Sequence, residues 1–296
     1  MVATITAMPE MATGISSAAL VDSPDLAFGT LLGSVCFNLT IVAILDAINR
    51  KGTPTLNQVS PRQLLGARWG MALMLVAGVG LYLSSRIALP MVGWVSLPSV
   101  VLLTMYPLAV WRIMHMEQRN AMHQADEPVM TGRYGRLSLR GAFLRFYLAA
   151  AVVILAGIWL SFTGDRIAET TGWGTSFVGN LFLAIATSAP EIVVSISAVR
   201  MGIPDLALGD ILGANMLDTA MVGLTDAFYV RGSILAATAP INLIVVIAAL
   251  AMTLVVSLAI VRPRARYIFG RFSWYGPLLV LSYIGVAYVL FTYGAG

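Results

Sequence analysis

The stretches TAMPEM (Thr6 to Met11) and TSAPEI (Thr187 to Ile192) are two copies of one phrase. Each is followed by a second shared phrase, PDLAFGTLLGS (Pro24 to Ser34) after the first and PDLALGDILGA (Pro204 to Ala214) after the second. Residues 3–21 and 23–47 align with 184–202 and 203–227, with Asp22 as the single extra residue, and 16 of the 44 aligned pairs are identical. In both copies a glutamate, Glu10 or Glu191, stands directly after a proline inside an apolar run. An ionisable side chain at bilayer depth costs about 3 kcal/mol or more and marks an ion or substrate path. Two of them at matching places of two internal repeats point to a transporter.

Composition places the chain in a membrane. Hydrophobic residues make up 58% of the 296 positions and charged residues 11%, against about a quarter charged in soluble domains. The net charge of +4 sits in short loops between apolar spans, so it reports membrane orientation and not nucleic-acid binding. A single cysteine, Cys36, excludes an internal disulfide. The N-terminal residues lack the basic region of a cleavable signal peptide.

Runs of about 20 apolar residues predict an all-α membrane protein with nine transmembrane helices, near 1–20, 25–48, 65–85, 92–114, 142–163, 175–200, 205–229, 234–261 and 274–294. Residues 1–114 form a first repeat half, 115–141 a cytoplasmic connecting loop and 142–296 a second half. Of the 18 basic residues, all but Arg86, Arg166 and Arg231 fall in loops on one side. That side is cytoplasmic by the positive-inside rule, which puts the C-terminus outside and the 21–24 and 201–204 turns on opposite faces. The two repeats are thus expected to be inverted, the architecture of an alternating-access carrier. The span 142–163 has no partner in the first half, and Glu10 lies only nine residues from Met1. The offset of 181 between the two glutamates expects about 40 residues ahead of Met1, carrying a tenth helix. A nine-helix protein is the alternative.

Helical spacing assembles a site. Thr6 and Glu10 share a face, as do Thr187, Glu191 and Ser195. Thr30, Ser34 and Asn38 form one stripe; Asp210, Ala214 and Asp218 form the matching one. Pro9 and Pro190 disturb their helices and free carbonyl oxygens four residues back, which is tolerated at membrane depth only beside a cavity. The result is an all-oxygen cage of the kind that hard cations such as Ca²⁺ select. No histidine or cysteine approaches it, which argues against zinc or copper. Among the other polar positions, Asp46 and Asp226 at helix ends are expected to be solvated or capping, and Asp25 and Asp205 to face the positive end of a helix dipole. Gly29/Gly33 and Gly209/Gly213 are expected to let the repeats approach closely, and Gly66/Gly70 to mark helix packing.

The TSAPE and GDILGANMLD runs resemble the alpha-repeats of the calcium/cation antiporters, and of the sodium/calcium exchangers in particular, whose pattern is roughly GTSxPE followed by GNxxGSNxxN/D. The repeats cover about a third of the chain. The resemblance implies that Glu10 and Glu191 are central calcium ligands and that Asn38 and Asp218 flank them. It implies that the hydroxyls of Thr6, Thr187, Ser188 and Ser34 bind sodium or calcium. The sequence departs from the pattern at Ala7 and Ala214, where serines are expected, and at Thr30, Val35 and Asp210, which replace asparagines.

The expected function is secondary active antiport of Ca²⁺ against Na⁺ by an integral, multi-pass protein of the cell (inner) membrane. An H⁺-coupled exchanger of Ca²⁺ or another divalent ion is the alternative within transport. A cation channel or a transport-inactive membrane protein is the alternative from another class. The transported ions and the lipid bilayer are the expected partners. No nucleotide motif and no hydrolytic constellation is visible, so neither a cofactor nor enzymatic activity is expected, and no nucleic acid.

Overall fold

The computed structural model describes residues 2–49, 53–121, 139–263, 267–268 and 272–294. The chain opens with α1 (Val2–Thr6) and α2 (Met8–Ala19), then α3 (Pro24–Ile48), α4 (Gln63–Ser84), a hairpin of β1 (Met91–Val92) and β2 (Val95–Ser96), α5 (Leu97–Ala121) and α6 (Leu139–Thr171). There follow α7 (Thr175–Val178), a π-helical turn (Gly179–Leu183), α8 (Ala184–Thr187), α9 (Ala189–Arg200), α10 (Pro204–Phe228) and α11 (Ile234–Ala237). A 3-10 turn (Pro240–Asn242), α12 (Leu243–Val261), a second hairpin of β3 (Tyr267–Ile268) and β4 (Phe272–Ser273), and α13 (Tyr275–Tyr293) complete it. Each half therefore runs through a broken helix, a 25-residue helix, a short turn, a helix, a two-residue hairpin and a final helix. Among the described residues α6 has no counterpart in the first half.

Six described helices are long and apolar enough to cross a membrane, seven if the bent pair Thr175–Thr187 and Ala189–Arg200 counts as one span. The nine expected spans include pieces outside that set. The α1–α2 run is short, and α10 matches α3 in length but carries Asp205, Asp210, Asn215, Asp218 and Asp226. Other boundaries moved as well. The expected loop at 115–141 is helical at both ends, since α5 continues to Ala121 and α6 begins at Leu139; residues 122–138 lie outside the described residues. The flanking segments lack proline and carry good helix formers, so backbone hydrogen bonding continues past the apolar stretch that span counting detects. The expected span 92–114 begins instead as a hairpin, and 234–261 is interrupted at Pro240, which cannot donate to the preceding turn.

α3 is the central element. Of its apolar window 83% is buried, against 17% for the windows in α5 and α6, which are peripheral. Gly29 and Gly33 permit the closeness. A Cβ on Gly29 would lie 2.8 Å from the Ser176 carbonyl oxygen, and one on Gly33 would lie 2.6 Å from the Asn180 Cα. The second glycine pair differs: Gly209 faces only the Gln63 side chain, at 3.4 Å. Gly66 and Gly70 do face another helix, α10, but at ordinary contact distances of 3.7 and 3.5 Å.

Four aspartates tie α3 and α10 to the opposite halves. Asp46, at the end of α3, accepts from the Thr55 amide at 2.8 Å, the Ser273 hydroxyl at 2.6 Å and the Tyr275 hydroxyl at 3.0 Å. Asp226, at the end of α10, accepts from the Ile234 amide at 2.6 Å and from the Ser96 amide and hydroxyl at 2.8 Å each. Both are buried, so of the two expected roles neither is solvated; each instead accepts from the first amide of a following helical turn, Thr55 of the 3-10 turn Thr55–Gln58 and Ile234 of α11, in the manner of a cap. At the helix starts, Asp25 accepts from the Ala239 amide at 2.7 Å and Asn242 Nδ2 at 2.8 Å, while Asp205 accepts from the Ser60 amide at 2.8 Å. The bonds are reciprocal. Each long helix holds the turn ahead of the next helix in the other half, and each also anchors the hairpin or helix start of that half. The inserted Asp22 adopts a positive φ of 62° and pairs with Arg231.

The glycine contacts generate a test. Gly33→Ala drives a methyl into backbone and should destabilise by about 1–3 kcal/mol, seen as a lower Tm in detergent. Gly66→Ala meets nothing nearer than 3.7 Å and should leave the Tm unchanged or raise it, since alanine favours a helix over glycine by about 1 kcal/mol.

Candidate ion-binding site

The broken helices set the site. Ala7, between α1 and α2, has φ −80° and ψ 9°; Ser188, between α8 and α9, has φ −81° and ψ 11°. The same backbone step therefore recurs two residues before Pro9 and Pro190. Each proline lacks the N–H that would bond the carbonyl four residues back, leaving Ile5 and Ala186 without that donor. The step also places Glu10 and Glu191 in the first turns of α2 and α9, where the positive end of the helix dipole favours a carboxylate.

All eight residues named from the sequence are buried: Thr6, Glu10, Ser34, Asn38, Thr187, Ser188, Glu191 and Asp218. The structure joins them across the halves. The Ser188 hydroxyl donates to Glu10 Oε1 at 3.1 Å. The Ser34 and Thr187 hydroxyls lie 3.4 Å apart, and Thr187 donates at 2.9 Å to the Leu183 carbonyl of its own helix. Asn38 Nδ2 donates to Asn215 Oδ1 at 3.1 Å. Thr6 lies beside Glu191, and Asp218 lies within electrostatic reach of both glutamates.

Several of these polar atoms are left over. Glu10 Oε2, Asn38 Oδ1, Asn215 Nδ2 and both oxygens of Asp218 are buried with no hydrogen-bond partner among the described residues. Buried polar groups are almost always paired, so each such orphan calls for an explanation. A structural acid would show a basic partner or a set of hydrogen-bond donors that satisfies its oxygens. The ion pairs among the described residues are the exposed Arg166–Glu169 and Arg231–Asp22, and neither involves this cluster. Among the described residues no three carboxylate, imidazole or thiol groups converge as a metal cluster. The acids are interleaved with hydroxyls and amides, so the arrangement offers a cation a mixed set of oxygens.

Three polar residues of this region were outside the expected ligand set. Asn215 contacts Asn38 directly, and its signal was visible as the asparagine of GDILGANMLD. Ser195 and Asp210 are also buried, with no hydrogen-bond partner among the described residues. Val35, the counterpart of Asn215, is fully buried among apolar residues, so that amide exists in one half only.

Comparison with known proteins agrees with this architecture. The family described as sodium/calcium exchanger protein matches residues 1–114 and 141–293. The sodium/calcium exchanger MaX1 of Methanosarcina acetivorans is 30% identical over 96 residues, 31% of this chain and 27% of that protein. The inner membrane protein YrbG of Escherichia coli K12 is 27% identical over 237 residues, 77% of this chain and 67% of that protein. These alignments thus span about a quarter of one relative and two thirds of the other. The crystal structure of the H⁺/Ca²⁺ exchanger CAX superposes with a TM-score of 0.67 at 15% identity, over 98% of this chain and 76% of that one, which shows a shared fold. With 267 of 296 positions matched by one family, the chain belongs to the sodium/calcium exchanger family.

Proposed function

We propose that the protein is a secondary active antiporter that exchanges Ca²⁺ for Na⁺ across the cell membrane by alternating access. The observation that carries this reading is the cluster of buried acids from both halves, Glu10 with Glu191 and Asp218, that no basic side chain among the described residues neutralises. In this reading Glu10, Glu191, Asp218 and Asn38 ligate the transported cation, and Thr6, Ser34, Thr187 and Ser188 supply hydroxyl oxygens. In this reading the apolar runs make nine spans, and the distribution of arginine and lysine puts the repeats in inverted orientation and the C-terminus outside.

The physics of exchange follows from charge. Like charges held together in a low dielectric repel, so the cluster favours occupancy by positive charge. One divalent ion or several monovalent ions satisfy it equally. A carrier that reorients only when its acids are neutralised therefore couples the two ions without hydrolysing anything. Sodium is the preferred counter-ion because neutral hydroxyl and amide oxygens surround the acids, and because MaX1, similar over 96 residues, is described as a sodium/calcium exchanger.

Glu10→Gln and Glu191→Gln should each abolish gradient-driven ⁴⁵Ca²⁺ uptake into vesicles while the protein keeps its Tm; normal uptake in either variant rejects the assignment. For the counter-ion, Ca²⁺ efflux from loaded vesicles should rise with external Na⁺ at fixed pH and be unaffected by a protonophore. Efflux that ignores Na⁺ and follows an imposed pH gradient selects proton coupling instead.

The hydroxyls differ between the halves. Ala7 has the backbone conformation of Ser188 but no hydroxyl to offer Glu191. Ser188→Ala should raise the half-saturating Na⁺ concentration about fivefold, the equivalent of one hydrogen bond of about 1 kcal/mol. Ala7→Ser should lower it, both read from Na⁺-dependent Ca²⁺ efflux.

A further inference from the structure

The arginine and lysine count leaves Arg86, Arg166 and Arg231 on the side it puts outside. Two of these pair with acids, Arg166 with Glu169 and Arg231 with Asp22. Arg86 takes part in no ion pair among the described residues. Its guanidinium lies instead over the Tyr82 ring, 5.8 Å from the centroid.

Arg86 borders a cavity of about 450 Å³. The walls come from three segments: the end of α4 with the turn after it, the first hairpin at Met91 and Ser96, and the turn into α11 at Gly232 and Ser233. Two of these belong to the first half and one to the second, so the cavity lies on the seam between them. The Ser84 hydroxyl in its wall is buried and has no hydrogen-bond partner among the described residues. Buried polar groups are almost always paired, so this one calls for a partner from outside the chain. Asp226 does not supply a counter-charge to Arg86: its oxygens accept from the Ile234 amide and from the Ser96 amide and hydroxyl.

The rim is apolar. Ile87, Met91, Val92 and Trp94 are all exposed, and Trp94 is fixed by donating from Nε1 to the Ala227 carbonyl at 2.9 Å. A tryptophan and an arginine among exposed apolar side chains at the end of a span mark the bilayer interface. The guanidinium repels cations, so the cavity does not suit the transported ion. A small aqueous anion would gain nothing from the apolar rim.

We propose that this cavity binds the headgroup phosphate of an anionic phospholipid from the outer leaflet. Arg86 pairs with the phosphate, whose planar oxygens suit a guanidinium. The Ser84 hydroxyl donates to the same group, and the acyl chains lie against Ile87, Met91 and Val92. Because the walls come from both halves, the bound lipid bridges them at their outer edge. The site lies apart from the buried acids and does not depend on which ion drives exchange.

The test counts lipids. Detergent-purified protein is titrated with dioleoyl phosphatidylglycerol and followed by native mass spectrometry. The unaltered chain should hold one tightly bound lipid more than Arg86→Gln, whose half-saturating concentration for that lipid should rise about tenfold or more, the equivalent of a charged hydrogen bond. Ser84→Ala should raise it about fivefold. Its Tm without lipid should stay unchanged, since the hydroxyl has no partner to lose, so this variant carries the test if Arg86→Gln does not fold. Lipid counts and half-saturation the same in both variants as in the unaltered chain overturn the site. Inorganic phosphate that displaces the bound lipid at comparable concentration shows a site for a free anion and overturns the lipid assignment.

Discussion

A carboxylate in the membrane interior with no basic partner among the described residues is the constraint on which the rest of this structure depends. Glu10 and Glu191 reach that place because a proline breaks each helix just ahead of them. The break turns the helix end, and its positive dipole, toward the acid. Two carboxylates still repel each other there, and Asp218 adds a third charge within reach of both. Such an assembly is tolerable only if the scaffold around it is stiff and if its charge is offset by something that can come and go.

The stiffness comes from acids used in the opposite way. Asp46 and Asp226 are as buried as the central acids, yet each accepts at least three hydrogen bonds. Hydrogen bonds to a charged group are each worth about 1.5–3 kcal/mol. Together with Asp25 and Asp205 they tie the ends of α3 and α10 to turns and hairpins of the opposite half. The ends of the two central helices are thus held while their middles carry unpaired oxygens. The difference between Asp46 or Asp226 and Asp218 is the number of donors around the carboxylate, and not its depth.

The repeat also explains where the halves part company. The break residues Ala7 and Ser188 agree in backbone angles to within a few degrees, but side chains at equivalent positions have diverged. Ser188 donates to Glu10 while Ala7 offers Glu191 nothing. Gly33 is pressed against Asn180 while Gly209 meets only the end of a flexible side chain. Asn215 faces Asn38, whereas its own counterpart is Val35. Symmetry of the backbone with asymmetry of the oxygens suits a site whose two sides do different work.

Much of this was legible in the sequence. Duplication of the proline–glutamate phrase located the helix breaks, the central acids and the hydroxyls around them, because proline's missing N–H and a charge in an apolar run act locally whatever the surroundings. Helix ends were less legible: α5 and α6 extend past their apolar stretches, since hydrogen bonding continues wherever polar residues favour it. The bonds of Asp46 and Asp226 to the opposite half were invisible, because those donors lie 130 to 229 residues away. The pairing of Asn38 with Asn215, 177 residues apart, belongs to the same class. A sequence states which groups are charged or polar and how they are spaced along one helix. Whether a donor from another helix arrives to satisfy them is decided by packing alone.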